Sequence, residues 1–261
     1  MEELIDLQRY PLDHIGSEEW SDLVHNCQMQ LAEHGLFNLP GFLVSGVVQS
    51  AADELKTALD ENAFIHAREH NIYFKRSLED LNPDHPALTR FKTVNRTICA
   101  DQMADTTILK LYEWPEFAAF LAAVMNKNAL YTMADPLARV NVMAYREGEA
   151  LNWHFDRSEF TTTLLLQSPQ AGGVFEYAQN LRSDDQPNYE GVAKLLGGHH
   201  PTTLMPLQAG TLNVFQGKNT AHRVTPIEGN KDRVIAVFSY FEEPGVVFSD
   251  EERIGFYGRA A

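Results

Sequence analysis

From residue 138 onward the chain breaks into short apolar runs parted by turn residues, and this rhythm constrains the fold more than any other feature. The runs are 139–145, 151–156, 160–167, 173–177, 202–206, 211–215, 221–226 and 233–241. Each is shorter than a normal helix, and β-branched and aromatic residues recur in them, as suits a pleated, half-buried surface. Around eight such strands at close spacing form a sandwich or barrel, because closure limits exposed edges. The expected fold is mainly β with flanking helices: a double-stranded β-helix, the jelly-roll form called a cupin, with a helical N-terminal region.

The first 135 residues carry a different period. Ser17 with Glu18 and Glu19 makes a capped, acidic first turn, and Trp20, Leu23, Val24, Cys27 and Leu31 recur at helical spacing until Gly35. Residues 36–43 are a short apolar strand candidate ending at Pro40-Gly41, and 45 to roughly 68 are helical through Val48, Ala52, Leu55 and Leu59. Residues 105–125 hold one or two more helices, with Pro83 and Pro86 punctuating the loop before them. The organisation read from this is a helical region at 1–135 packing on the core, a catalytic core at 136–245 and a C-terminal tail at 246–261. Within the core, residues 184–198 interrupt the strands with a polar loop and a short helix. An insertion at a barrel mouth is a candidate lid or substrate-contacting element, and equally a surface decoration.

Composition excludes several partners. The chain has 261 residues, 44% of them hydrophobic and 22% charged, which suits one large globular domain. Its formal charge of −15 repels nucleic acid and anionic membrane surfaces, and leaves a small molecule as the expected partner. Cys27 and Cys99 are the only cysteines and read as two buried thiols in a reducing compartment. No apolar run approaches the ~20 residues of a membrane span, and the acidic start lacks a secretory pattern, so a cytoplasmic protein is expected.

The chemistry concentrates in three side chains. His154 and Asp156 stand two apart on a strand, so both leave the same face roughly 6.5 Å apart at the backbone and can reach a single ion. His222 ends a later strand region, after the run 210–215. Two histidines and a carboxylate on one face of an octahedron leave three positions open, the arrangement of non-haem Fe(II) oxygenases. Arg233 follows eleven residues after His222 and heads an alternating run with Ile235, Val237 and Ser239. If that face looks inward the guanidinium needs an anion, since a buried unpaired charge costs several kcal/mol. The distal carboxylate of 2-oxoglutarate fits a planar two-pronged donor, and a structural salt bridge is the competing reading.

Taken together, Tyr145 and Gly148, His154-Phe155-Asp156, Gly172-Gly173, His222 and Arg233 resemble the Fe(II)/2-oxoglutarate-dependent dioxygenases. The stretches 37–42, 152–155, 160–167 and 219–226 resemble the branch that contains the radical halogenases of free amino acids and their hydroxylase relatives. The resemblance implies Fe(II), 2-oxoglutarate and O2 as cofactor and cosubstrates, and an amino acid or amino-acid-derived substrate. Those halogenases carry a small residue where Asp156 stands, which opens an iron position for chloride. With the carboxylate in that position, the resemblance implies hydroxylation instead. Arg157 follows the aspartate in place of an acid, so lysine does not transfer as the substrate. Ile235 replaces a Ser or Thr expected two residues after Arg233, which leaves the Tyr145 hydroxyl to complete the cosubstrate contacts.

Asn141 shares a strand face with Tyr145 and is a candidate cosubstrate contact, while Arg96 and Arg157 are candidate substrate anchors; Arg96 could equally be paired with one of many acids. His66-Ala-Arg-Glu-His70 matches the order of inverted zinc peptidases on a helix. The preferred reading is a polar, exposed helix end, because such a peptidase also needs a distal glutamate and a cleft. His199 and His200 read as solvated, and Trp153 and Phe155 as packing. Two other classes stay open: a cosubstrate-independent cupin metalloenzyme, which would not require Arg233, and a non-catalytic ligand-binding barrel.

Overall fold

The structure is a computed structural model and describes residues 1–78 and 81–260. Two antiparallel sheets face each other. The major sheet has seven strands: β1 (Leu36–Leu39), β2 (Phe64–His70), β3 (Phe91–Cys99), β4 (Val140–Tyr145), β6 (Thr161–Gln167), β9 (Leu212–Phe215) and β11 (Arg233–Phe238). Their order across the sheet is β1-β9-β6-β11-β4-β3-β2. The minor sheet contains β5 (Leu151–His154), β7 (Phe175–Ala178), β8 (Thr203–Met205) and β10 (Ala221–Val224), in the order β8-β7-β10-β5. This is the jelly-roll expected from the strand rhythm.

Helices cover the outer face of the major sheet. They are α1 (Glu18–His34), α2 (Ser45–Glu61), α3 (Thr107–Tyr112) and α4 (Pro115–Val124). The N-terminus of α1 is capped by Ser17, whose Oγ accepts from the Trp20 amide at 3.1 Å, and Gly35 closes the helix at φ 71°. Against these helices pack Val140, Val142, Ala144, Leu164, Val234, Ala236 and Phe238, all buried, with Phe117 and Phe120 from α4. Strand alternation then sends the neighbours of these residues, Asn141, Met143, Tyr145, Arg233 and Ile235, toward the minor sheet.

Three features differ from the sequence reading. The helix begun at residue 45 ends at Glu61, and residues 64–70 form β2 instead of its last turns. Burial along β2 alternates: Phe64, His66, Arg68 and His70 turn inward while Ile65, Ala67 and Glu69 are exposed. His66 and His70 therefore share a strand face, not an exposed helix end, and His70 is buried. Strands β1, β2 and β3 all come from before residue 136 and belong to the major sheet, so the N-terminal region and the core share one sheet. Finally, residues 246–260 are an ordered part of the fold: α6 (Asp250–Tyr257) is capped by Ser249 and Glu252, and Arg253 pairs with the fully buried Asp135 at 2.8 Å.

The 184–198 insertion contains α5 (Tyr189–Leu196), whose Val192 and Leu195 pack on Trp153, Phe155, Ala178 and Ala221. Trp153 and Phe155 flank His154 and so point to the opposite side of the sheet. The helix braces the back of the minor sheet and does not cover its inner face. Both cysteines are buried and unpaired. Among the described residues no helix is long and apolar enough to cross a membrane.

Candidate metal centre

Strand pairing assembles the centre. His222 on β10 lies directly opposite His154 on β5, and their ring centroids are 4.1 Å apart. Asp156 sits just beyond the end of β5. Its Oδ1 is 3.3 Å from His154 Nε2 and its Oδ2 is 3.4 Å from His222 Nε2. One ligand atom from each of the three lies within 4.8 Å of the others, and this is the only such group of three among the described residues.

The backbone also sets which nitrogen faces the site. His154 Nδ1 lies 2.8 Å from the Asn152 carbonyl and His222 Nδ1 lies 2.9 Å from the Thr220 carbonyl. A carbonyl only accepts, so each Nδ1 carries a proton and each Nε2 faces the centre, where it can ligate once deprotonated. Burial, and then the neighbouring His222, depress the His154 pKa, which keeps that imidazole neutral. Burial alone would raise the Asp156 carboxyl, yet the charge and hydrogen bonds that His222 and His154 bring in their protonated forms hold it well below its ordinary value. Once deprotonated at Nε2, the two imidazoles together with the carboxylate make the donor set of a divalent first-row metal. Phe175 and Phe215 pack against His222, with centroids at 5.7 and 4.8 Å.

Arg233 is 2% exposed and faces the minor sheet opposite Tyr145. No carboxylate pairs with it among the described residues, and its Nε has no hydrogen-bond partner. Burial lowers the guanidinium to about 10, and burial raises the Tyr145 phenol to about 12. Gly173 makes room beside it: a Cβ there would lie 3.1 Å from Arg233 Cδ and 2.7 Å from the Pro169 ring. A buried cation without a counter-ion fits the distal carboxylate of a dicarboxylic acid.

The other expected contacts lie elsewhere. Asn141 has both ends of its amide engaged, donating to the Leu137 carbonyl at 3.0 Å and accepting from the Tyr257 hydroxyl at 2.9 Å. It anchors α6 to the sheet, four residues along the strand from Tyr145. Arg96 lies opposite Ala144, on the helix-covered face, and its Nη1 donates to both oxygens of Glu149 at 2.6 and 2.8 Å. Arg157 is exposed, pairs with Glu252 at 2.9 Å and lies beside the rings of Phe248 and Phe256. Neither arginine is brought to the metal ligands.

In their place stands an inner face that sequence reasoning missed. His66 and Arg68 on β2 lie opposite Asn95 and Thr93 on β3. The Arg68 guanidinium rests 4.3 Å from the Phe74 ring centroid, and its buried Nε has no partner. Phe74 stacks on His70 at 4.4 Å and meets the His154 ring at 5.7 Å. It does so at φ 54°, a left-handed conformation costly for a bulky residue, as strained residues at functional sites often are. His70 Nδ1 donates to the Asn71 carbonyl at 3.0 Å, which leaves Nε2 to accept from the Thr93 hydroxyl at 2.8 Å. The signal was present in the sequence as two-residue alternation, but its polar members are the ones that turn inward.

Comparison with known proteins bears on the family and the fold. Residues 19–246 match the family model described as Halogenase D. An oxidoreductase of the 2OG-Fe(II) oxygenase family from Burkholderia pseudomallei superposes with a TM-score of 0.52 at 17% identity, over 85% of this chain and 92% of that one. The α-ketoglutarate-dependent epimerase SnoN of nogalamycin biosynthesis gives 0.57 at 14% identity, over 85% and 83%. A Pseudomonas putida prolyl-4-hydroxylase gives 0.51 at 14% identity, over 83% and 98%. No curated protein matches the chain. At these identities the structural likenesses show the fold alone.

Proposed function

The chain belongs to the Halogenase D family, a branch of the Fe(II)/2-oxoglutarate oxygenases, and from that premise we propose that it hydroxylates an unactivated C–H bond of a small molecule, an amino acid or an amino-acid-derived metabolite. The observation that carries this reading is the third ligand. Asp156 stands among the two imidazoles with its carboxylate ionised, so with a metal bound it would take the position that a halide would need. The family's name points to halogenation; the carboxylate supports hydroxyl transfer.

Bound Fe(II), with 2-oxoglutarate and O2, supplies the oxidation of a C–H bond, and the protein supplies position and shelter. His154, Asp156 and His222 would hold the metal, while Arg233 and the Tyr145 hydroxyl would hold the far carboxylate of the cosubstrate. Phe74, Phe175 and Phe215 would keep water from the ligands. Since Arg96 and Arg157 are committed to Glu149 and Glu252, Arg68, whose Nε has no partner, would be the cation that meets a carboxylate on the substrate. Small shifts in where the substrate is held decide which C–H bond reacts.

The test is anaerobic reconstitution with Fe(II) and 2-oxoglutarate, addition of O2, and measurement of succinate with a panel of free amino acids. Succinate formation stimulated by one of them, with a hydroxylated product by mass spectrometry, is the expected result. Chloride incorporation would overturn the hydroxylase reading. Absence of succinate under every condition would favour a cosubstrate-independent cupin enzyme or a binding barrel.

A further inference from the structure

We propose that Thr161 and Gly217 form a cradle that fixes the Asp156 carboxylate toward the metal, with Thr161 as a positioning residue; this rests on the metal-centre reading above. Asp156 lies past the last residue of β5, where a side chain without support would lose rotamer freedom on every metal-binding event. One backbone bond fixes the main chain there, and two features around the Asp156 carboxylate remove that freedom beforehand. Its amide donates to the Gly217 carbonyl at 3.0 Å. The Thr161 hydroxyl donates to its Oδ2 at 2.5 Å. Gly217 then forms a floor beneath the carboxylate: a Cβ there would lie 2.1 Å from Oδ2 and 2.8 Å from Cγ.

Backbone conformation does not account for that glycine, because Gly217 is not among the residues with positive φ. What requires it is the space the carboxylate occupies. Thr161 is held in turn by β6, where it lies opposite Phe215, the residue packed on His222. The first residue of one strand and the loop after another therefore lock the carboxylate in a plane that meets both Nε2 atoms. Residue 217 must stay small for an aspartate to stand at 156, and the hydroxyl at 161 gives the carboxylate its orientation.

The test is anaerobic titration of the whole apoprotein with Co(II), a spectroscopic stand-in for Fe(II), following the visible ligand-field bands. Thr161→Val keeps the shape, suits a strand and deletes only the donor; it should weaken Co(II) binding ~10–100-fold and alter the bands, as loss of a ligand's supporting hydrogen bond does. Thr161→Ser should restore affinity to within ~3-fold of wild type, a rescue that a purely structural role for the methyl group would not give. Gly217→Ala should weaken binding at least as much as Thr161→Val, and tests the floor independently. Wild-type affinity with unchanged bands in either Thr161→Val or Gly217→Ala overturns the cradle, as does a Ser variant as weak as Val. Failure of the wild-type protein to take up Co(II) would instead remove the metal-centre reading, and the cradle with it.

Discussion

The two faces of the major sheet divide the work of the molecule. On the central strands the outer face is apolar and dry: Val140, Val142, Ala144, Val234, Ala236 and Phe238 press on Phe117, Phe120 and the other helical residues. The inner face carries Arg233, Tyr145, Asn95, Arg68 and His66, and the Nε atoms of Arg233 and Arg68 have no hydrogen-bond partner among the described residues. One face contributes stability by removing hydrocarbon from water, and the other holds groups whose burial costs stability until a ligand meets them. A half-buried pleat lets both exist on one strand, since adjacent residues never share a face. It follows that changes on the two faces should have opposite signatures.

The largest effect should come from the outer face. Phe120 is fully buried and meets Phe37 edge to face at 6.2 Å. Phe120→Ala should cost ~3–5 kcal/mol of folding stability. Metal affinity of the folded fraction should be unchanged, as read by chemical denaturation alongside Co(II) titration. Equal losses in both measurements would erase the division.

Arg233→Met should do the reverse. Replacing an unpaired buried cation by an apolar side chain of similar length should stabilise the cosubstrate-free protein by ~1–4 kcal/mol. The 2-oxoglutarate requirement should rise ~100-fold, in keeping with the ~2–5 kcal/mol lost when one member of a buried charge pair is removed. Thermal unfolding and succinate formation against cosubstrate concentration give the two readings. A destabilised variant with unchanged cosubstrate dependence would show that Arg233 has a structural role.

The smallest effect is on pH dependence. Burial pushes both His66 and His70 down from 6.5 to about 4, with the Arg68 charge adding to it at each. Their folded values lie below their unfolded ones, so the unfolded chain binds protons more readily across that interval. Stability should therefore be full above pH 6.5 and decline as pH falls toward 4. His70→Gln should make the decline of the thermal midpoint shallower, and an unchanged slope would remove His70 from the account.

Much of this was legible beforehand because it depends on local periods. Short runs from residue 139 predict the sheets, and Ser17 with Gly35 brackets α1 where the structure has it. The lapses fall where burial runs against polarity. Residues 64–70 read as helix and exposed histidines because the usual marker of an inward face is hydrocarbon, and here it is His66, Arg68 and His70. Arg96 and Arg157 looked available because a sequence does not show Glu149 or Glu252 beside them. The amphipathic segment at 189–196 was recognised as a helix, while the surface it covers depends on Trp153 and Phe155, on a different strand.

The identity and spacing of the candidate ligands were readable from the chain of residues alone. His154 and Asp156 are two residues apart, but only His154 lies on the strand; Asp156 falls just past its end, where Thr161 and Gly217 hold it. What surrounds them came from packing across the fold: His222 opposite His154, Thr161 and Gly217 around the carboxylate, Arg233 buried without a counter-ion, the Arg68 Nε unpartnered, and Arg96 neutralised by Glu149. The physical reason is register. Which side chains meet across paired strands is set by the hydrogen-bonded alignment of segments far apart in the chain, and a shift of one residue would turn every one of them to the opposite face.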